Sequence, residues 1–274
     1  MGLFDFFKKK NVRKQNAKPA SSSNAQVPSN SNEAQKTSEP YFGDTNKTLL
    51  LQQLFSVPEE QRNEAWLEQL YQAVVDASFK CEAPQVIQGP DGFPYVKLEI
   101  PAQGEEFQCY VLRHMKNDFL LERGFGVAIF AGKNQPEWVF SYGDILNFHL
   151  FNSFTHKNNI FGNKQHHGEL PAEENFALSE PSKDILPAEL RKVLGAFLSN
   201  YYDNPKVSLI LHKNDNTYEL AFNCTPDKFE DHEIFREVIQ QISWFLPRYY
   251  SYCALDEQKH SEGFSSLCPS EDEF

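Results

Sequence analysis

Chemistry in this chain would have to come from its scattered imidazoles and carboxylates. His149, His156, His166 and His167, with Glu169, Glu173 and Glu174 close by, are the right types to hold a divalent metal. Their spacing argues against it: His166 and His167 are adjacent in a polar stretch, no Cys joins them, and none falls at ligand spacing on a regular element. Solvated loop histidines are the expectation, with no metal and no cofactor. Asp144, after Ser141-Tyr142-Gly143 at the end of an apolar run, is the second candidate. A carboxylate there can act as an acid or base with His149 and an arginine in a cleft, or it can cap a helix; the cap explains it without further roles. Gly124-Phe125-Gly126 lacks a third glycine three residues on and opens a strand rather than a helix, so it is not a dinucleotide fingerprint. No G-x-x-x-x-G-K-[ST], G-x-S-x-G or H-E-x-x-H occurs. Cys109 sits on an apolar alternating run and reads as an inert buried thiol. No residue is assigned a catalytic role.

The elements that would position Asp144 lie in Arg123–Phe154. Val127–Ala131 and Trp138–Tyr142 read as two short buried strands around Gly132-Lys133-Asn134-Gln135-Pro136, turn material because Gly accepts positive φ and Pro cannot donate to a ladder. Gly143-Asp144 then reads as a break and an N-cap, followed by a short helix carrying Ile145, Leu146, Phe148 and Leu150. Trp138, Phe140 and Tyr142 share one side of the second strand. They either pack in the core or, if that side is open, form an aromatic partner surface of the kind enriched at interfaces.

Along the rest of the body, Thr48–Phe55 is a short helix candidate and Ser56-Val57-Pro58-Glu59 has capping-box spacing for a second helix. That helix carries Trp66, Leu67, Leu70, Tyr71, Val74 and Ala77 on one stripe and stops at Pro84. Tyr95–Ile100 and Phe107–Leu112 alternate as half-buried strands, and Asn117-Asp118 can turn the chain into another, giving an antiparallel meander. Residues 156–183 form an irregular connector. The second lobe opens with Leu190, Val193, Leu194, Phe197 and Leu198 at helical spacing. A hairpin of Val207–His212 and Thr217–Asn223 follows, then a helix striped by Phe235, Val238, Ile239, Ile242, Phe245 and Leu246, with Arg248–Cys253 as a terminal strand. The two hairpins rhyme: VAIFAGKNQPEWVFSYGD and VSLILHKNDNTYELAFNC both run strand, polar turn with Lys-Asn, strand and break.

Charge separates the ends from the body. The chain has 274 residues and a net charge of −12, yet Lys8, Lys9, Lys10, Arg13, Lys14 and Lys18 face only Asp5 within the first twenty. The remainder is therefore more acidic than the total, and such a body repels phosphate backbones, which disfavours nucleic-acid binding by the folded part. Five cysteines without a C-x-x-C pair point to reduced thiols and a cytoplasmic setting. No run reaches the length of a membrane span.

In GLFDFFKKK, Leu3, Phe4, Phe6 and Phe7 fall within an arc of about 160° at helical periodicity, with Asp5 opposite and Lys8, Lys9 and Lys10 following. This start resembles the membrane-targeting N-termini of some bacterial cytosolic proteins, such as the cell-division topology factor MinE, and the resemblance implies contact with an anionic membrane surface. Residues 11–44, rich in Asn, Ser, Ala, Gln, Lys and Pro, read as a disordered linker.

The expectation is thus an α+β protein: antiparallel β-hairpins packed with helices in two sequential similar lobes. Residues 1–10 form a basic amphipathic head and 11–44 a disordered linker. Lobe 1 spans 45–155, the connector 156–183 and lobe 2 184–254, and 255–274 form a mobile acidic tail. The function that fits is a non-enzymatic cytosolic binding or adaptor protein, attached peripherally to the inner membrane face, with an unidentified protein partner. The alternative is a small-molecule or hydrolytic enzyme with its site between the lobes near Asp144 and His149.

Overall fold

A computed structural model describes residues 42–156, 160–161, 176–213, 216–260 and 262–268, apart from the side chain of Asp118. Asp44 opens the first helix, α1 (Thr45–Ser56), by accepting from the Asn46 amide at 2.9 Å. α2 (Glu64–Val74) is capped by Asn63, whose side chain accepts from Trp66 N. The expected capping box at Ser56 does not form. Ser56 is still inside α1, its hydroxyl donates back to Gln53 O, and a single 3₁₀ turn (Glu59–Gln61) separates the helices. Trp66 buries its indole between them and donates from Nε1 to Leu54 O at 2.8 Å.

The first sheet holds β1 (Val86–Gln88), β2 (Pro94–Glu99), β3 (Gly126–Phe130) and β4 (Trp138–Phe140) in that order. β1–β2 and β3–β4 are antiparallel, but β2–β3 is parallel, with Val96 opposite Val127. A parallel pair needs a long crossover, and this one consumes the segment expected to form two more strands. Phe107 and Cys109 are half-buried and Glu106 and Gln108 exposed, so the period of two is present. The ladder is not: only Tyr110 bridges, to Phe79. Leu112–Met115 (α3) then runs into a π-helical segment, Lys116–Leu121, where a further strand was expected. α4 (Tyr142–Phe151) follows β4 directly.

The second sheet runs β5 (Phe176–Ser179), β6 (Lys206–His212), β7 (Thr217–Phe222) and β8 (Tyr252–Ala254), with β9 (Ser265–Ser266) also on β6. α5 (Ala188–Leu198) precedes the hairpin, and α6 (His232–Phe245), capped by Asp231, follows it. β5 lies inside the expected connector. β9 lies inside the expected mobile tail, where Leu255 and Leu267 are buried and the Leu267 amide donates to Pro205 O. The burial of those two leucines outweighs the polarity of the residues around them.

The fold is α+β, and in each lobe a hairpin leads into a helix. The accessory parallel strand differs. β2 joins the first strand of the first hairpin, whereas β8 joins the second strand of the second. One core serves both lobes: Phe93, beside β2, stacks on Trp244 of α6 at 4.2 Å and meets Phe245 edge-on.

Candidate functional site: the inter-lobe cleft

The site begins with the start of α4. Ser141 is the N-cap, its Oγ accepting from the Asp144 amide at 3.1 Å, while Asp144 Oδ2 accepts from the Ser141 amide at 3.0 Å. This is a complete capping box, so Asp144 occupies the third helical position and is not the cap itself. Its carboxylate also reaches lobe 2, where Arg248 donates from Nε at 2.7 Å and from Nη2 at 2.9 Å. The two partners differ in burial, with side-chain exposures of 6% for Asp144 and 66% for Arg248. The carboxylate raises the Arg248 pKa beyond its ordinary value through these bonds.

Two further contacts fix the lobes at this point. A Cβ on Gly143 would stand 1.9 Å from the Leu246 carbonyl oxygen, so only glycine lets α4 meet the end of α6. Trp244 Nε1 donates to Tyr95 OH at 2.7 Å, and that hydroxyl donates in turn to Asp91. Burial, with Asp91 next, pushes the Tyr95 phenol well above its usual range.

Between these contacts lies a cleft of about 770 Å³. Val139, Phe235, Ile239, Trp244, Pro247 and Tyr250 supply apolar wall, and the charged groups among the described residues are Asp144, Arg236 and Arg248. Its two hydroxymethyl side chains are engaged: Ser141 accepts the cap bond and Ser243 donates to Gln240 O.

His149 does not line this cleft. It sits near the far end of α4 with Nδ1 2.9 Å from Asn117 Oδ1, and burial, then nearby Lys116, lowers its pKa. His156 stacks on Phe151 at 3.9 Å. His166, His167, Glu169, Glu173 and Glu174 lie outside the described residues, among which no group of three or more metal-ligating side chains occurs. Leu3, Phe4, Phe6, Phe7, Lys8, Lys9 and Lys10 are also outside them.

Phe140 and Tyr142 are buried at 1% and 0% exposure, and Trp138 is half-buried against Trp66 and Tyr71. They form core, so this stripe offers no open aromatic face. The exposed residue of β4 is Val139, which turns to the cleft. Cys109 is half-buried on unpaired extended chain, its thiol donating to Phe42 O, and is not the buried strand residue expected.

Sequence reasoning missed Arg248, Arg236 and Trp244. One signal was present: Ser141-Tyr142-Gly143-Asp144 has the S-x-x-D capping spacing, which places Asp144 one turn inside the helix. Nothing local names Arg248 as its partner, 104 residues away.

No helix among the described residues is long and apolar enough to cross a membrane. Comparison of the chain with models of known protein families, with curated proteins and with solved structures finds no match in any of the three.

Proposed function

We propose that this chain is a non-enzymatic cytosolic binding protein, with the inter-lobe cleft as its ligand site and its N-terminal head as a peripheral attachment to an anionic membrane face. The observation that carries the first part is the state of Asp144. Both its oxygens are committed, one to Arg248 and the other to Arg248 and the Ser141 amide. Among the described residues no imidazole lines the cleft, and its serine hydroxyls are held in structural bonds. A general base needs a free lone pair aimed at a substrate proton, and three of the roughly four acceptor sites of this carboxylate are taken by bonds that cap α4 and join the lobes.

The attachment rests on the pattern of the head. Burying Leu3, Phe4, Phe6 and Phe7 gains at most about 1.5–3 kcal/mol each, and each lysine near an anionic leaflet adds about 1 kcal/mol. Ordering the segment offsets much of that, which gives weak, reversible binding. A linker of roughly 30 Å root-mean-square span exceeds the Debye length of about 8 Å, so an acidic body can stay clear of the surface its basic head touches.

Two experiments test the proposal. Asp144→Asn is expected to lower stability by about 1–2 kcal/mol, as loss of a cap and a charged hydrogen bond does. A gain in stability would instead mark a site kept for chemistry and would sink the non-enzymatic reading. Co-sedimentation with anionic and neutral liposomes, at low and physiological salt, compares the full chain with one lacking residues 1–10. Salt-sensitive pelleting lost on truncation is expected. If both forms stay in the supernatant, the membrane attachment is wrong.

A further inference from the structure

We propose that the inter-lobe cleft takes a small amphipathic monocarboxylate, an acid with an aromatic or aliphatic body whose anionic end sits between Arg236 and the unused edge of Arg248. This rests on reading the cleft as a binding site.

The charge balance of the lining points to an anion. In a chain of net charge −12, the described residues give the cleft two guanidiniums against one carboxylate. That carboxylate is already spent, because Asp144 receives the Nε and Nη2 edge of Arg248. A guanidinium has five N–H donors in a rigid plane. The Nη1 side of Arg248 has no partner among the described residues, although the side chain is largely open. Asp144 therefore holds the plane in place, and the conformational entropy usually lost when an arginine closes on an anion is already lost.

Arg236 supplies the second charge. It stands on α6 at positions i, i+3 and i+7 with Ile239 and Ser243, which also line the cleft. Glu233 and Glu237 neighbour it on the helix, and neither forms an ion pair with it among the described residues. A ligand carboxylate placed against Arg248 alone would put two negative charges on one guanidinium; Arg236 restores the balance. The surplus of one positive charge matches a monoanion. A phosphate dianion would leave a charge uncompensated, and the start of α4 cannot serve it, since Ser141 and Asp144 already cap that end.

The rest of the lining selects the body of the ligand. Phe235, Ile239, Trp244 and Tyr250 make an aromatic and aliphatic wall. The cleft's volume of about 770 Å³ lies in the usual range of roughly 300–1,000 Å³ for small-molecule sites. Val139 faces this wall from β4 at 38% exposure. Covering it removes apolar surface from water without moving the backbone.

Isothermal titration of the full chain with 2-naphthoate and with its uncharged amide, 2-naphthamide, tests the proposal. The acid is expected to bind, and the amide at least tenfold more weakly. Arg236→Gln, an exposed substitution that leaves the Asp144–Arg248 pair intact, is expected to weaken the acid about tenfold and leave the amide unaffected. Equal binding of acid and amide, unchanged affinity in the variant, or no binding of the acid at millimolar concentration each overturns the proposal. Recovery of the acid after prolonged incubation separates this from the underlying reading. Unaltered acid supports both; chemical conversion of bound acid overturns the non-enzymatic reading while the anion site stands.

Discussion

After β4 the chain places Ser141 and Asp144; after β7 it places Asn223 and Thr225. Both hairpins thus end in a polar junction that begins immediately after the last strand residue. Asn223 is fully buried and closed on every side: its Oδ1 accepts from the Lys206 amide and Tyr202 hydroxyl, and its Nδ2 donates to Asn204 O and Glu257. Glu257 is itself held by Lys206 and Lys228. Asp144 is equally buried, but its partner Arg248 stands open at the edge of a cleft. The same local pattern is closed for stability in one lobe and left with unused donors in the other. That difference locates the candidate site better than any motif does.

The comparison can be broken hardest at Gly143. Gly143→Val drives a branched side chain into the backbone of Leu246, and a loss of about 4 kcal/mol or more is expected. Urea unfolding would show it, and a loss below about 1 kcal/mol would mean that the lobes are not wedged together there. Asn223→Ala comes next, at about 3 kcal/mol, because it removes a fully buried side chain with four hydrogen bonds and strands the buried Tyr202 hydroxyl. It should exceed Asp144→Asn, whose partner Arg248 can turn to water. The opposite ranking would erase the distinction between closed and open junctions.

Acid titration sharpens the contrast. Lys206, Lys228 and Asn223 draw the Glu257 pKa from 4.5 to about 2 against the opposing effect of burial. Folded protein therefore takes up this proton later than unfolded chain. The stabilisation is complete above about pH 5 and drains away as pH falls toward 2. Glu257→Gln should flatten the acid limb of the stability profile, measured by urea midpoints from pH 6 to 2.5. An unchanged limb would remove Glu257 from the account; Asp76, bonded to Arg113 and lowered to about 2, contributes a similar slope from lobe 1.

The smallest effect separates the hairpin turns. The first uses Gly132 at φ +74° with open space around it, and the second uses Asn216 at φ +54°. Gly132→Ala should cost about 1 kcal/mol through backbone strain alone, while Asn216→Gly should stay within about 0.5 kcal/mol. Equal costs in thermal melts would show that turn conformation does not distinguish the hairpins.

What could be read from sequence follows the range of the interactions. Both hairpins, the helix after each and the α+β class were legible, because apolar period and turn residues are local. The parallel placement of β2 on β3 was not, because alternation at Phe107 and Cys109 marks an extended chain without naming a neighbour. β9 was hidden for a related reason: two residues carry no period. In the site, the carboxylate was found but its role was misread by one turn, and its partner Arg248 was invisible because only the packing of α6 against α4 brings it near.

The junction at Gly143 and Asp144 also sets an order of events during synthesis. Domains commonly fold as they leave the ribosome, N-terminal first. Lobe 1 cannot finish its packing that way, since α4 meets Leu246 and Arg248 only once they have been made. The second sheet waits longer still, until Ser265 and Ser266 reach β6. The first hairpin, already covered on one side by Trp66 and Tyr71, therefore waits for its contacts with α6 while more than a hundred further residues are translated. The slower that translation, the longer α4 stands without its latch to Arg248.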